Sequence, residues 1–206
     1  MPAMLTAARL TPGDTLGLPH VRHLPRRDRL RRLPEEHGYP DADLYEDLVV
    51  RPLWQPLALS PLTRVTRRTY DDARQPFTGW GLALLRDDIA RIGLFLNRDD
   101  GRIDGVTVLD PALFDAAMQR DPEDRGLPTG VPGLRYNAGF WAYDVAPHIG
   151  CPRPVHVPLM SGYGGIIVTL FPNGMVYYYV SDGGTHRWLA AAREAHRLRS
   201  FCKDTA

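Results

Sequence analysis

The chain has 206 residues, 44% of them apolar and 24% charged, a composition that suits one ordinary globular core. A formal net charge of +1 excludes a global electrostatic attraction to nucleic acid or to an anionic membrane. No run approaches the roughly 20 consecutive apolar residues of a membrane span. The start MPAMLTAARLTPGDTLG has no basic stretch followed by an apolar run, so neither a span nor export is expected.

Residues 1–43 are broken by prolines and carry the run HVRHLPRRDRLRRLPEEHG, which predicts an irregular Arg/Pro-rich segment ahead of a folded domain over 44–206. The Arg cluster from Arg22 to Arg32 has no aromatic residues for base stacking, so it reads as solvated surface and no nucleic-acid partner is expected. Ordered signals begin at Asp41, a cap position ahead of Leu44, Tyr45, Leu48 and Val49 on one helix face, with Pro52 as the stop. FTGWGLALL then reads as strand or extended chain. A second helix is predicted from Arg86 to Leu96, with Asp87 and Asp88 in its first turn and Leu85, Ile89, Ile92 and Phe95 on one side. Asp110-Pro111 opens a third, burying Leu113, Phe114, Ala117 and Met118.

The C-terminal third changes character, with LRYNAGFWAYDV, VHVPLMSGYGG, IIVTLF and MVYYYV reading as strands between turn residues. Pro172-Asn173-Gly174 predicts a tight antiparallel hairpin, because Asn and Gly tolerate the positive φ that such turns use. A last helix over 185–201 places Trp188, Ala191, Ala195, Leu198 and Cys202 on a stripe that can lie across the sheet. The expected class is α+β: an antiparallel sheet, a packed C-terminal helix and a small helical lobe over 41–125.

Candidate chemistry is sparse. Cys151 and Cys202 lie far apart and offer neither a disulfide framework nor a metal-ligand spacing, which favours a reducing compartment, the cytoplasm. His148, His156, His186 and His196 show no His-x-x-x-His pairing, so no metal or other cofactor is expected. His186 with Asp182 is the most base-like pair, although both sit where an Asp usually caps a helix. Of Tyr177 to Tyr179, only Tyr177 and Tyr179 share a strand face, and core packing explains them better than sugar or base stacking.

The order of elements from Tyr45 to Phe201 resembles the serine β-lactamase, DD-peptidase and related esterase superfamily, especially its class C-like branch. The segments that carry the resemblance are YEDLVVRPLWQPLALSP, GWGLALLRDDIARIGLFLNRDDGRIDG, VLDPALFDAAM and, most specifically, MSGYGG followed by IIVTLFPNGMVYYYVSDGG. In that family an edge strand beside the catalytic serine carries a Lys-Thr-Gly or His-x-Gly triplet, which Met160-Ser161-Gly162 matches in place. The resemblance implies that Ser161 faces the substrate, that Gly162 lets it approach the backbone, that the Tyr163 N–H is one oxyanion-hole donor, and that Gly164 and Gly165 continue the same substrate strand. A donor fixed in the backbone costs little reorganisation when charge develops on a tetrahedral intermediate, which agrees with that role.

Met160 departs from the family's cationic residue and weakens the case for β-lactam or peptide carboxylate recognition in favour of an ester. The larger departure precedes Tyr45, where the family carries a Ser-x-x-Lys helix and then a Tyr-x-Asn loop. Ser200 to Lys203 matches the first by spacing only, at the end of the last helix and with the sequence's sole lysine. Tyr39-Pro40-Asp41 and Tyr136-Asn137-Ala138 fail as the tyrosine loop, one preceding a helix cap and one lying in a predicted strand. Acyl transfer by this route needs a serine activated by a neighbouring base. The expectation is therefore the C-terminal half of a serine hydrolase, inactive alone, for which a shifted reading frame near residues 20–36 is one origin.

The alternative is a noncatalytic binding module that reuses the fold. Expected partners are a small ester or β-lactam-like ligand, and an N-terminal complementing polypeptide or a second copy on an uncovered face around Ile166, Val168, Tyr177 and Tyr179.

Overall fold

The computed structural model describes residue 43, residues 45–65, 68, 70, 82–162, 165–181, 183 and 187–202. The chain divides into two compact units, Met1–Leu84 and Leu85–Ala206. The predictions over residues 1–42, with the Arg cluster and Tyr39 to Asp41, lie outside the described residues, as do Phe77–Gly81, Tyr163, Gly164, Asp182, Thr185, His186 and Lys203.

In the first unit a π-type helix spans Glu46–Trp54 and runs through Pro52 instead of stopping there. Proline has no N–H, and its ring collides with the carbonyl four residues back in an ordinary α-helix. The wider i→i+5 turn, seen in Gln55 N–H donating to the Val50 carbonyl at 2.8 Å, accommodates it. That step also moves the apolar stripe: Val50 is fully buried, whereas Leu48 is 49% exposed. Asp43 Oδ1 accepts from the N–H groups of Tyr45 and Glu46 at the helix start. A 3₁₀ turn follows at Pro61–Arg64, and the Tyr45 hydroxyl ties the two together by donating to the Thr63 carbonyl.

The second unit is α+β. Helix α1 spans Arg86–Asn97, α2 Pro111–Ala117, α3 Ala146–Ile149 and α4 Trp188–Leu198. Strands β1 (Arg102–Ile103) and β2 (Val106–Thr107) form a short hairpin. The rest form a six-stranded antiparallel meander in chain order: β3 Leu127–Pro128, β4 Leu134–Asn137, β5 Phe140–Asp144, β6 His156–Gly162, β7 Ile166–Leu170 and β8 Val176–Tyr179.

Local chemistry sets the helix starts. Asp110 accepts from Leu113 N–H at 2.9 Å as the cap of α2, and Asp88 Oδ2 accepts from Leu85 N–H at the start of α1. Leu82–Leu85 ahead of α1 forms no strand. Leu85 and Leu113, expected inside, are 51% and 39% exposed, and Leu198 of α4 is 75% exposed.

α1 packs on β7 and β8 within this unit, so it is part of the sheet's cover and not of a separate helical lobe. Gly93 permits that approach, since a Cβ there would lie 2.5 Å from a methyl of Val176.

The Phe171–Met175 hairpin is clasped from two helices. Asn97 at the end of α1 donates to the carbonyls of Phe171 and Met175. Asn173, 8% exposed, donates to the carbonyls of Ala195 and Arg199 and so closes the C-terminus of α4. Gly174, at φ +84°, supplies the turn.

Strand register assigns the faces. Val157 and Leu159 of β6, Ile167 and Thr169 of β7, and Tyr177 and Tyr179 of β8 share one face, while His156, Pro158, Val168 and Tyr178 share the other. On the first, Val145, Val157, Phe171, Ala192, Ala195 and Phe201 form the core beneath α4, with Tyr177 packed against them. The predicted uncovered face is therefore not one surface: Ile166 and Val168 lie opposite Tyr177 and Tyr179. Val168 and Tyr177 are half-buried, leaving Ile166 and Tyr179 at 44% and 43% exposure.

Cys151 and Cys202 are joined in a disulfide, contrary to the sequence expectation, with Cα atoms 5.3 Å apart. The bridge fastens the turn after α3 to the chain leaving α4. Spacing could not signal a partner 51 residues away. Disulfides persist in oxidising compartments, which removes the argument for a reducing one. No helix among the described residues is long and apolar enough to cross a membrane.

Candidate functional site

β6 is interior to the sheet along residues 156–160 but not beyond. Its pairing with β5 is set through Leu159, and β5 begins at Phe140 directly after the Ala138-Gly139 turn. Met160, Ser161 and Gly162 pair with Val168, Ile167 and Ile166 of β7; the register sets Phe140, the first residue of β5, level with Met160, so only Ser161 and Gly162 run past β5. The predicted edge strand is thus an edge only at its last two residues, where no described strand pairs on the second side and backbone groups can meet an incoming chain or ligand.

Ser161 and Gly162 are both exposed. A Cβ added at Gly162 would meet Ile166 at 3.4 Å, ordinary contact, so packing does not require glycine there. Gly165, at φ +88°, is buried and turns the chain into β7. Tyr163 and Gly164, and with them the expected oxyanion donor, lie outside the described residues.

Ser161 lacks a base among the described residues. Its hydroxyl makes no hydrogen bond there, and the described histidines are elsewhere. His156 is five residues up the same strand and on the opposite face, roughly 16 Å away along an extended chain. His148 Nε2 shares a hydrogen bond with the Tyr143 hydroxyl at 3.1 Å, and the two rings stack. His196 Nδ1 accepts from Phe201 N–H at 2.9 Å and so holds the chain as it leaves α4.

Tyr177 offers no base either. Burial and the neighbouring Tyr179 both raise its pKa above the ordinary 10.0. Tyr136 packs against Trp141 at 4.8 Å, and Ala138 lies in the turn and not in a strand. Ser200 Oγ accepts from Cys202 N–H, a local turn beyond the end of α4.

The fold also brings together residues that sequence spacing separates. Cys151, His196 and Cys202 have potential ligand atoms within 4.8 Å of one another. Both sulfurs are committed to the disulfide and supply no thiolate to a metal. Gln119 and Arg125, in the chain after α2, carry no motif, and only the structure places them beside β6 and the disulfide. No family model matches the chain, and no curated protein matches it.

Proposed function

We propose that this chain is the C-terminal portion of a β-lactamase-related serine hydrolase, contributing the strand along which an ester, amide or β-lactam substrate lies. The observation that carries the reading is the overhang of Ser161 and Gly162 past β5, where an exposed hydroxyl adjoins a glycine that packing does not require. Such a ledge can align a substrate by backbone hydrogen bonds, with Gly162 letting it come close and the Tyr163 N–H supplying an oxyanion donor. The nucleophile and its base, the Ser-x-x-Lys and Tyr-x-Asn elements, would come from a complementing N-terminal polypeptide. Alone, the chain has a ledge without an activated nucleophile and is expected to turn over no ester.

The test mixes the chain with an N-terminal polypeptide of the class C-like type that carries both motifs, then labels the mixture with a fluorophosphonate. Labelling of the partner's serine only when this chain is present, lowered by Gly162→Val, is the expected result. Labelling that never depends on this chain would overturn the reading. The alternative, a noncatalytic binding module, is favoured by the absence of a base at Ser161 among the described residues. Binding of a penicillin or ester at the strand end, with no acylation in any mixture, would select it.

A further inference from the structure

Beside β6, and wholly within the Leu85–Ala206 unit, lies a cleft of about 580 Å³ bounded by the chain after α2 and by the Cys151–Cys202 disulfide. Pockets for small molecules commonly occupy ~300–1,000 Å³. His156, Pro158 and Leu170 line it from the strand face opposite Ser161, while Phe201 and Cys202 line it from the chain leaving α4.

Its charges are unequal. Arg120 is neutralised by Asp100 and Asp115. Arg125 is half-buried, donates to the Gln119 carbonyl, and has no carboxylate within ion-pair distance among the described residues. Burial lowers its pKa below the ordinary arginine value, with Asp144 and Asp121 opposing from a distance. The planar fork of a guanidinium fits a carboxylate, and Arg125 spends only part of it on the Gln119 carbonyl.

The walls also hold polar atoms without partners. Gln119, 1% exposed and at φ +51°, donates from Nε2 to the carbonyls of Arg135 and Phe140, while its Oε1 is buried and unpaired. His156 Nδ1 is likewise buried and unpaired. Native folds leave few such atoms, and those that persist call for a ligand or a water. Pro158, Leu170 and Phe201 supply apolar wall.

We propose that this cleft binds a small organic monocarboxylate, its carboxylate paired with Arg125 and its apolar body against Pro158, Leu170 and Phe201. Of the three arginines in the lining, Arg120 is paired and Arg153 is exposed to solvent, which leaves Arg125 as the half-buried cation for a carboxylate to engage. A hydroxyl or N–H on the ligand would satisfy Gln119 Oε1. The site stands apart from the hydrolase reading, since neither Ser161 nor Gly162 lines it.

The full chain is titrated with sodium benzoate, with sodium cyclohexanecarboxylate and with inorganic phosphate, followed by NMR of the arginine and histidine side chains. Saturable shifts of Arg125 and His156 with the carboxylates are expected, with Arg125→Met weakening binding by about tenfold or more. If that variant does not fold, Arg125→Lys keeps the charge without the fork and is expected to bind several-fold more weakly. Ser161→Ala should leave binding unchanged. No saturable shift with either carboxylate, equal binding by a folded Arg125 variant, or equally tight inorganic phosphate would each overturn the proposal. Loss of binding in Ser161→Ala would move the probe to the strand end and overturn it as well.

Discussion

On the side of the sheet that α4 covers, Val145, Val157, Phe171, Ala192, Ala195 and Phe201 make an apolar core, each at most 4% exposed. Across the strands, the side that His156 and Pro158 occupy borders a cleft where Arg125, Gln119 and His156 keep unmet polar capacity. The separation is incomplete, because Thr169 Oγ1 is buried and unpaired on the α4 side and Phe201 of that core also lines the cleft. Even so, one face is organised for stability, whereas the other retains groups whose burial is costly without a partner. Substitutions on the α4 side should therefore hurt folding, and those at the cleft should hurt binding.

The comparison can be broken from its stable side first. Phe171, 2% exposed, stacks on Phe201 and Tyr177, so Phe171→Ala should cost about 4 kcal/mol in urea unfolding. A loss near zero would mean that α4 does not seal this face. Reduction of Cys151–Cys202, or its replacement by a pair of alanines, should cost about 3 kcal/mol through the loop it closes. Identical unfolding midpoints with and without reductant would show that the bridge is absent in solution. Asn173→Ala removes the donor to the Ala195 and Arg199 carbonyls and should cost about 2 kcal/mol, with the loss in helicity confined to the end of α4.

What the sequence made legible is what its neighbours determine. The Pro172-Asn173-Gly174 hairpin follows from turn chemistry, and the starts of α1 and α2 follow from Asp88 and Asp110, so all three lie where the residues predict them. Strands β4 to β8 follow from alternating runs between turns. The β1–β2 hairpin, β3 and α3 are too short to carry a period. Pro52 misleads because the chain widens its turn in place of ending the helix.

Of the candidate strand end, residue types and glycine spacing are visible in the sequence. Its openness beyond Met160 is not, since that depends on where β5 begins. Asn173 is legible as a turn residue but not as the group that closes α4, and neither the disulfide nor the setting of Arg125 is encoded locally. Such contacts join segments far apart in the chain, where no period or cap reports them.

The smallest expected effect tests the polar side by pH. Burial is the first cause lowering the His156 pKa below the ordinary 6.5, Arg125 and Arg135 add to it, and Asp144 partly opposes them. The folded state therefore holds a neutral ring where the unfolded chain holds a proton, over the interval between the lowered folded pKa and 6.5. Unfolding takes up a proton there, so stability contributed by the neutral ring is complete above that interval and is lost as pH falls through it. The melting temperature should fall between pH ~7 and ~5.5 by more in the native chain than in His156→Gln, which cannot titrate. Equal pH slopes would mean that His156 is solvated and that the wall of the cleft is open there. A monocarboxylate bound at Arg125 should shrink the difference, because its negative charge offsets the guanidinium that helps keep the ring neutral.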